Sequence, residues 1–320
     1  QLAGAIKHPD KGKVFDLSTD TNNVSGLDDA SVKLYPVDGY GNPDLLREII
    51  KMEKPDAIFI ITDPRYFTWL FQIENEIRKK MPIIYLNIWD DYPAPLYNKA
   101  YYESCDALLA ISKQTKNINE IVLGDKAKDK VIKYVPHGLN SDLYFPIDKN
   151  SEEITKIKKN IFGDKEIDFL MFFNSRNIRR KQIPDTMMAF RMFLDTLPKE
   201  KADKCSFLLH TEVISEHGTD LEAVRELLFG EKYPNAVYFS TNKVSAQELN
   251  LLYNLSDVQI LLTSNEGWGL TLTEAMLTGT PFIANVTGGM QDQMRFEYDE
   301  DEGPGVKKGG WIDFDNDFPS

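Results

Sequence analysis

The sequence is poor in the residues that mark disulfide-rich proteins and many metalloproteins. Its 320 residues include only two cysteines and four histidines. Two cysteines, Cys105 and Cys205, cannot build a disulfide framework, so we expect buried free thiols and a reducing, cytoplasmic location. The histidines do not cluster at metal-ligand spacing, so no metal site and no cofactor are predicted.

Long apolar runs and an excess of basic charge are missing as well. The longest apolar runs, AIFII, FLMFF and VQILL, are far shorter than the roughly 20 residues of a transmembrane helix. They have the length of buried strands. The opening residues, QLAGAIKHPDKGK, lack the apolar stretch of a signal peptide. A net charge of −13 argues against nucleic-acid binding through a general basic surface.

What the sequence does contain is a regular alternation of buried strands and amphipathic helices. With 42% hydrophobic and 11% aromatic residues it can bury substantial cores, and its length suits two domains. Strands are predicted at 57–62, 83–88 and 107–112, with a helix at 66–80, and the pattern restarts at 168–174 after a linker-like segment at 140–153. Buried strands alternating with helices indicate parallel sheets covered on both faces. We therefore predict an α/β protein with two Rossmann-like, doubly wound lobes, 1–146 and 147–320.

Both predicted lobes look shortened at one end. No glycine-containing first turn precedes the first clear strand-helix unit, and no helix closes the second lobe. We therefore expect that the start of the first lobe and the end of the second are incomplete.

The stretch SNEGWGLTLTEAMLTGTPFIANVTGG, residues 264–289, carries two glutamates eight positions apart. A strand precedes Glu266, and a helix that contains Glu274 and is capped by Gly279 follows. Ligands of open α/β sheets bind at the carboxyl ends of strands. The helix start offers the N–H groups of Leu270 and Thr271 to a phosphate, and Gly267 and Gly269 allow the backbone to approach it. Two carboxylates beside such an anion site suit a phosphorylated, hydroxyl-rich ligand.

A second candidate segment, FFNSRNIRRKQ (172–182), follows another buried strand. Arg176 and Lys181 lie five positions apart on the loop that leads into the next helix. Two cations there can neutralise a diphosphate leaving group. A solvated basic turn is the alternative, and Arg179 and Arg180 are expected to be surface charges.

Together these segments resemble the retaining glycosyltransferases of the GT-B fold, in particular glycosyltransferase family 4. Asn174, Arg176 and Lys181 match the family's Gly/Asn-x-Arg motif and its following lysine, and Gly288 with Gly289 matches its Gly-Gly pair. The loop and helix match at Glu266, Gly267, Trp268, Gly269, Leu270 and Glu274. SCDALLAISKQT and VPHGLNSDLYFP resemble a first-lobe segment and the hinge, so the resemblance spans about residues 104–292.

The resemblance implies two lobes facing a central cleft and retaining transfer, without metal, from a nucleotide-diphosphate sugar, a UDP- or GDP-sugar above all. Arg176 and Lys181 would hold the diphosphate with Leu270 and Thr271. Glu274 would bind the ribose, and Glu266 the donor sugar and its developing positive charge. The acceptor would be a hydroxyl of a glycan, a lipid-linked sugar or a small molecule, and peripheral membrane contact stays open.

One departure from the family pattern concerns the first lobe. Where members often carry a histidine near the donor sugar, this sequence reads NIWDDYP, so Trp89, Asp90 or Asp91 is the candidate on the acceptor side. Three alternatives remain. The first is a two-lobed sugar or nucleotide-sugar binding protein without transferase activity, which does not require cations that bind a diphosphate. A dinucleotide oxidoreductase needs G-x-G-x-x-G, which Gly267 and Gly269 do not complete. The third alternative is a phosphorylase or an epimerase with the same two-lobed fold.

Overall fold

The fold is described by a computed structural model that covers residues 1–5 and 9–294. The chain divides into two compact units, the first formed by residues 1–110 and 115–134 and the second by residues 111–114 and 135 onward. The sequence-based boundary, between residues 146 and 147, lies inside the second unit. Each unit is built around its own parallel sheet.

The first unit contains two separate sheets. A four-stranded parallel sheet has the order β4-β5-β6-β7, and a three-stranded sheet has the order β1-β3-β2, in which β2 runs antiparallel to β3. The strands are β1 (Leu2–Ala5), β2 (Phe15–Asp16), β3 (Lys33–Asp38), β4 (Ile58–Ile61), β5 (Ile83–Asn87), β6 (Ala107–Ala110) and β7 (Val131–Tyr134). Predicted strands 57–62, 83–88 and 107–112 thus correspond to β4, β5 and β6.

The helices of this half are mostly short. They are α1 (Ser18–Ser25), α2 (Pro43–Glu53), α3 (Thr68–Gln72), α4 (Glu74–Ile77), α5 (Lys99–Glu103) and α6 (Lys113–Leu123), with 3-10 turns at Pro64–Phe67, Leu96–Asn98 and Gly124–Asp129. The single helix predicted at 66–80 is wrong. The segment begins as a 3-10 turn and continues as α3. It then breaks at Ile73, whose dihedral angles (φ −111°, ψ 13°) leave the helical region, before α4 begins.

In its described part, up to residue 294, the second unit has one five-stranded sheet in which all strands are parallel, with the order β10-β9-β8-β11-β12. Its strands are β8 (Phe169–Asn174), β9 (Cys205–His210), β10 (Val237–Ser240), β11 (Val258–Leu261) and β12 (Phe282–Ala284). Its helices are α7 (Glu152–Phe162), α8 (Ile183–Asp195), α9 (Lys199–Ala202), α10 (Leu221–Phe229), α11 (Ala246–Leu255), α12 (Leu270–Thr278) and α13 (Gly288–Met294), with a 3-10 turn at Arg179–Lys181.

This sheet is covered on both faces, as the near-continuous apolar strands predict. Phe173 of β8 lies in one core with Phe190 of α8, while its neighbour Phe172 lies in a second core with Tyr253 of α11. Phe172 and Tyr253 meet edge to face with their ring centroids 5.2 Å apart. Alternating strand residues therefore pack against helices on opposite faces of the sheet. The doubly wound architecture is confirmed in this unit.

Both cysteines are free and buried, as expected. Burial raises the pKa of the Cys105 thiol to about 12, so this residue is an inert apolar side chain at neutral pH. Among the helices of the described residues, none has the length and apolar character needed to cross a membrane.

Candidate functional site

The central strands of the sheet in the second unit form an edge of the kind at which open α/β sheets bind ligands. The chain runs from β8 outward to β9 and β10, then returns to the other side of β8 with β11. β8 and β11 are paired at Met171 and Val258, and the strand order reverses between them. A crevice outside the carboxyl ends of two such strands is where open α/β sheets bind ligands. The segments that leave this edge are residues 175–182 and 262–269, which hold the residues singled out in the sequence.

Glycines shape the loop that carries Glu266. Gly269 has φ +89°, a left-handed conformation that starts α12. Gly289 donates its N–H to the carbonyl of Glu266 at 3.1 Å. A Cβ on Gly288 would lie only 1.8 Å from that carbonyl oxygen, so only glycine allows the two segments to approach. The Gly-Gly pair therefore fixes the backbone position of Glu266.

Lys181 and Glu266 form an ion pair across the two loops. The Nζ of Lys181 donates to Oε2 of Glu266, and the two side chains are only 7% and 13% exposed. The lysine ends the 3-10 turn after β8, and the glutamate follows β11, so the pairing of these strands brings them together. This cation and carboxylate, 85 positions apart in sequence, are both residues that the motifs predict for the site.

Arg180 corrects one expectation, since it is not a free surface charge. Its side chain is only 31% exposed, and its Nη1 donates to Oε2 of Glu266 at 3.1 Å. The same nitrogen donates to the carbonyl of Asn265. The tight 3-10 turn directs Arg180 toward the glutamate loop. Arg176 and Arg179 are exposed, and neither is among the cations that pair with Glu266.

Glu274 has an entirely different environment. It lies on α12 with 9% of its surface exposed, and the Tyr253 hydroxyl donates to its Oε2 at 2.5 Å. The Tyr144 hydroxyl is a second phenol that acts on the pKa of this carboxyl. Burial raises the pKa of the Glu274 carboxyl above its ordinary value, and the hydroxyls of Tyr253 and Tyr144 oppose that shift. Among the described residues, the hydrogen-bond donor to this carboxyl is thus a phenol, and no cation is paired with it.

Asn174 and the start of α12 complete this part of the edge. The Nδ2 of Asn174 donates to the Tyr253 hydroxyl at 3.0 Å, so it supports Glu274 through that tyrosine. The N–H groups of Leu272 and Thr273 bond to the carbonyl of Gly269. The N–H groups of the two preceding helical residues, Leu270 and Thr271, lie at the helix start, where an anion can accept from them.

The acceptor-side candidates of the first unit lie just beyond β5. Buried Asn87 accepts from the N–H of Trp89 at 3.0 Å, and the Trp89 indole donates to the carbonyl of Asp91 at 2.6 Å. Asp91 itself is exposed, whereas Trp89 and Asp90 are half-buried. The turn is therefore rigid at its base and offers one accessible carboxylate at the carboxyl edge of this sheet.

The sequence motifs assign no role at the site to three side chains: Arg180, Tyr253 and Tyr144. Tyr253 lies on an apolar helix face whose pattern predicts only a role in the hydrophobic core. Tyr144 lies in the segment that resembles the hinge. In the described ranges, 1–5 and 9–294, no three His, Cys, Asp or Glu side chains come together as a possible metal site.

Residues 213–300 match the family model described as Glycosyl transferases group 1. This range contains Glu266, Glu274 and the Gly288–Gly289 pair, which shape half of the site. The family consists of glycosyltransferases, which is the enzyme class that the sequence predicts. The segment with Lys181 lies before the matched range.

Two relatives of known name are similar over parts of the chain. Alpha-monoglucosyldiacylglycerol synthase from Acholeplasma laidlawii is 26% identical over 184 residues, which is 54% of this chain and 42% of that protein. Trehalose synthase from Pyrococcus horikoshii is 40% identical over 65 residues, or 20% of this chain and 16% of that protein. The matches therefore span less than half of the length of either relative.

Solved structures share the fold more extensively. An E. coli structure described as trehalose-6-phosphate bound with UDP-2-fluoro glucose has a TM-score of 0.65 at 13% identity, over 92% of this chain and 79% of that one. Anabaena HepE in complex with UDP and glucose has a TM-score of 0.63 at 14% identity, over 87% and 73%. A glycosyltransferase from Rickettsia africae has a TM-score of 0.61 at 19% identity, over 80% and 67%. The predicted GT-B fold is confirmed by this likeness.

Proposed function

We propose that this protein is a retaining glycosyltransferase of family 4, which transfers a sugar from a nucleotide-diphosphate sugar to a hydroxyl acceptor. The observation that carries the proposal is the Lys181–Glu266 pair, flanked by a helix N-terminus, at the carboxyl edge of β8 and β11. This arrangement combines donors for a diphosphate with a carboxylate for the sugar. The family match at residues 213–300 supports it.

The donor diphosphate is held by Lys181, Arg176 and the N–H groups at the start of α12. An ammonium group has three N–H donors, so Lys181 can keep its bond to Glu266 and also donate to a phosphate oxygen. Arg176 is exposed and can turn toward the ligand at little cost. The neutralisation of leaving-group charge by these groups removes the need for a metal ion or other cofactor.

The transfer step then breaks the bond between the anomeric carbon and the diphosphate oxygen. The acceptor oxygen forms its new bond to the anomeric carbon on the same face, and its proton passes to an oxygen of the departing diphosphate. Nucleoside diphosphate is released. Glu266, paired with two cations, faces the sugar and its developing positive charge, while Glu274, with Tyr253 and Asn174 behind it, accepts from the ribose.

The comparisons narrow the proposed substrates. Two structural neighbours are described with UDP and glucose or with UDP-2-fluoro glucose, so we favour a UDP-sugar, with a GDP-sugar as the second choice. The name of one relative refers to a glucosyl lipid, which favours a lipid-linked acceptor over a glycan or a small molecule. On the acceptor side we assign Asp91, with Trp89 and Asp90 beside it. The free cysteines support a cytoplasmic location.

A thermal-shift screen of UDP-, GDP- and ADP-sugars tests the proposal first, because a ligand that binds the native state raises the melting temperature. The stabilising donor is then incubated with candidate acceptors, and the release of nucleoside diphosphate is measured. Retention is read from the anomeric configuration of the product by NMR. Stabilisation without diphosphate release in any acceptor mixture would favour the two-lobed binding protein. A screen with no stabilising nucleotide sugar would contradict the proposal.

A further inference from the structure

We infer that Arg180 is a positioning residue that holds the Glu266 loop in its working geometry. This inference rests on the proposed function, in which Glu266 faces the donor sugar. The inference goes beyond the motif residues, because Arg180 lies between the matched residues Arg176 and Lys181 but is not itself a position of the family motif. Its contacts, and not its place in a motif, distinguish it from the adjacent Arg179.

The side chain of Arg180 joins three points of one segment. Nη1 donates to the hydroxyl of Thr263 at 3.3 Å, to the carbonyl of Asn265 and to Oε2 of Glu266 at 3.1 Å. The segment 263–266 therefore bonds to a single guanidinium nitrogen. A planar, permanently charged guanidinium suits such a role, since it cannot lose its proton when the site changes its charge.

The backbone of Arg180 strengthens the same connection. Its carbonyl accepts from the N–H of Ser264 at 2.9 Å and from the hydroxyl of Thr263 at 3.2 Å. The loop after β8 is thus joined to the loop after β11 through both the main chain and the side chain of one residue. Because the main-chain bonds survive a substitution, the loop can keep its course when the side chain is changed.

The sharing of Glu266 between two cations has a consequence for catalysis. Lys181 is nearly buried and pairs with Oε2, and the proposed function requires it to donate to a diphosphate as well. Arg180 bonds to the same oxygen from a position that is 31% exposed. When a diphosphate draws Lys181 toward itself, Arg180 keeps Glu266 charge-compensated and in place. The two neighbouring cations therefore divide two tasks, ligand binding for Lys181 and orientation for Arg180.

The test compares Arg180→Met with Arg179→Met, a matched control in which an exposed neighbouring arginine receives the same change. Arg180→Met should lower kcat by about 10-fold, as expected for the loss of a charged hydrogen bond that orients a catalytic group. The donor KM and the affinity for nucleoside diphosphate by calorimetry should change by less than about 3-fold. Arg179→Met should behave as the wild type does, and Arg180→Lys should recover part of kcat.

A second readout does not depend on activity. Hydrogen exchange of the peptide that covers residues 263–269 should be faster in Arg180→Met than in the wild type and in Arg179→Met. Unchanged exchange in that peptide would overturn the positioning role, whatever the kinetics. Equal losses of kcat and nucleotide affinity would overturn it too, because Arg180 would then be a diphosphate ligand. Faster exchange together with a wild-type protein that transfers no sugar would support the positioning of Glu266 and contradict the proposed function instead.

Discussion

Glu266 and Glu274 lie eight positions apart in one stretch of chain, yet the protein surrounds them with opposite chemistry. Glu266 is on a loop and is paired with the cations Lys181 and Arg180. Glu274 is on α12, is 9% exposed, and accepts a hydrogen bond from the neutral hydroxyl of Tyr253. Within the part of the chain that the structure describes, the first carboxylate is paired with two cations and the second with a neutral phenol.

This difference indicates two different tasks. A carboxylate paired with cations that have further N–H donors lies beside groups that can also meet a charged ligand, which suits a position next to a diphosphate sugar. A buried carboxylate whose position is set by phenols has little freedom, and burial disfavours its charge. Such a group suits recognition of a neutral hydroxyl, as in a ribose. Substitution of each glutamate in turn therefore tests whether the two carboxylates have different tasks.

The largest effect is expected for Glu266→Gln. Turnover should fall by about 10²- to 10³-fold, the usual cost of removing a group that stabilises transition-state charge. Nucleoside diphosphate affinity should not fall, because Lys181 loses an internal counter-charge and becomes a better partner for phosphate. Steady-state kinetics and calorimetry measure the two quantities. Equal losses of turnover and affinity would mean that Glu266 only binds the donor.

A smaller effect is expected when the support of Glu266 is disturbed at Gly288. Gly288→Ala places a side chain at φ +50° and 1.8 Å from the Glu266 carbonyl oxygen, which combines about 1–2 kcal/mol of left-handed strain with about 1–3 kcal/mol of overpacking. Stability by denaturant unfolding and kcat should both drop.

The control for this substitution is Gly279→Ala, at φ +72° with no neighbouring atom within 4 Å of the added Cβ. It should cost only the strain of about 1–2 kcal/mol and leave kcat unchanged. If both variants lost turnover alike, the close approach at Gly288 would not be what positions Glu266.

The smallest effect is expected in the pH dependence of Glu274→Gln. The folded-state pKa of Glu274 is raised from its ordinary value of 4.5, so its contribution to stability is complete below that pH and is lost as the pH rises through the folded pKa. Glutamine carries no such charge. The melting temperature of the variant should therefore gain on that of the wild type as the pH rises from about 4 to about 8. A difference that stays constant over this range would argue against a buried, destabilised carboxylate.

The sequence predicts the second unit better than the first for a physical reason. β8 and β11 are mostly buried and correspond to the apolar runs FLMFF and VQILL, which mark them as strands without knowledge of the tertiary structure. In the first unit, β3 contains Pro36 and its side chains are only partly buried, so no comparable run marks it. The prediction of one helix at 66–80 was wrong because the spacing of apolar residues does not indicate the break at Ile73.

The site shows the same limit at finer scale. The approach of Lys181 to Glu266 could be anticipated, since both follow strands whose carboxyl ends meet at one edge. The difference between Arg179 and Arg180 could not be anticipated, because it depends on the 3-10 turn that directs one of two identical side chains inward. The burial of Glu274 depends on Tyr253 and Tyr144, which come from distant segments. Local patterns therefore located the candidate residues but not their environments.

The most direct test of the central claim is calorimetric titration with the nucleoside diphosphate of the donor that the thermal-shift screen selects, UDP first. The wild type should bind it, and Lys181→Met should bind it about 10- to 100-fold more weakly, because a hydrogen bond to a charged group contributes about 1.5–3 kcal/mol. Arg179→Met is the matched control and should bind as the wild type does. Equal affinity in Lys181→Met and the wild type would contradict a nucleotide-diphosphate site at the edge of β8 and β11.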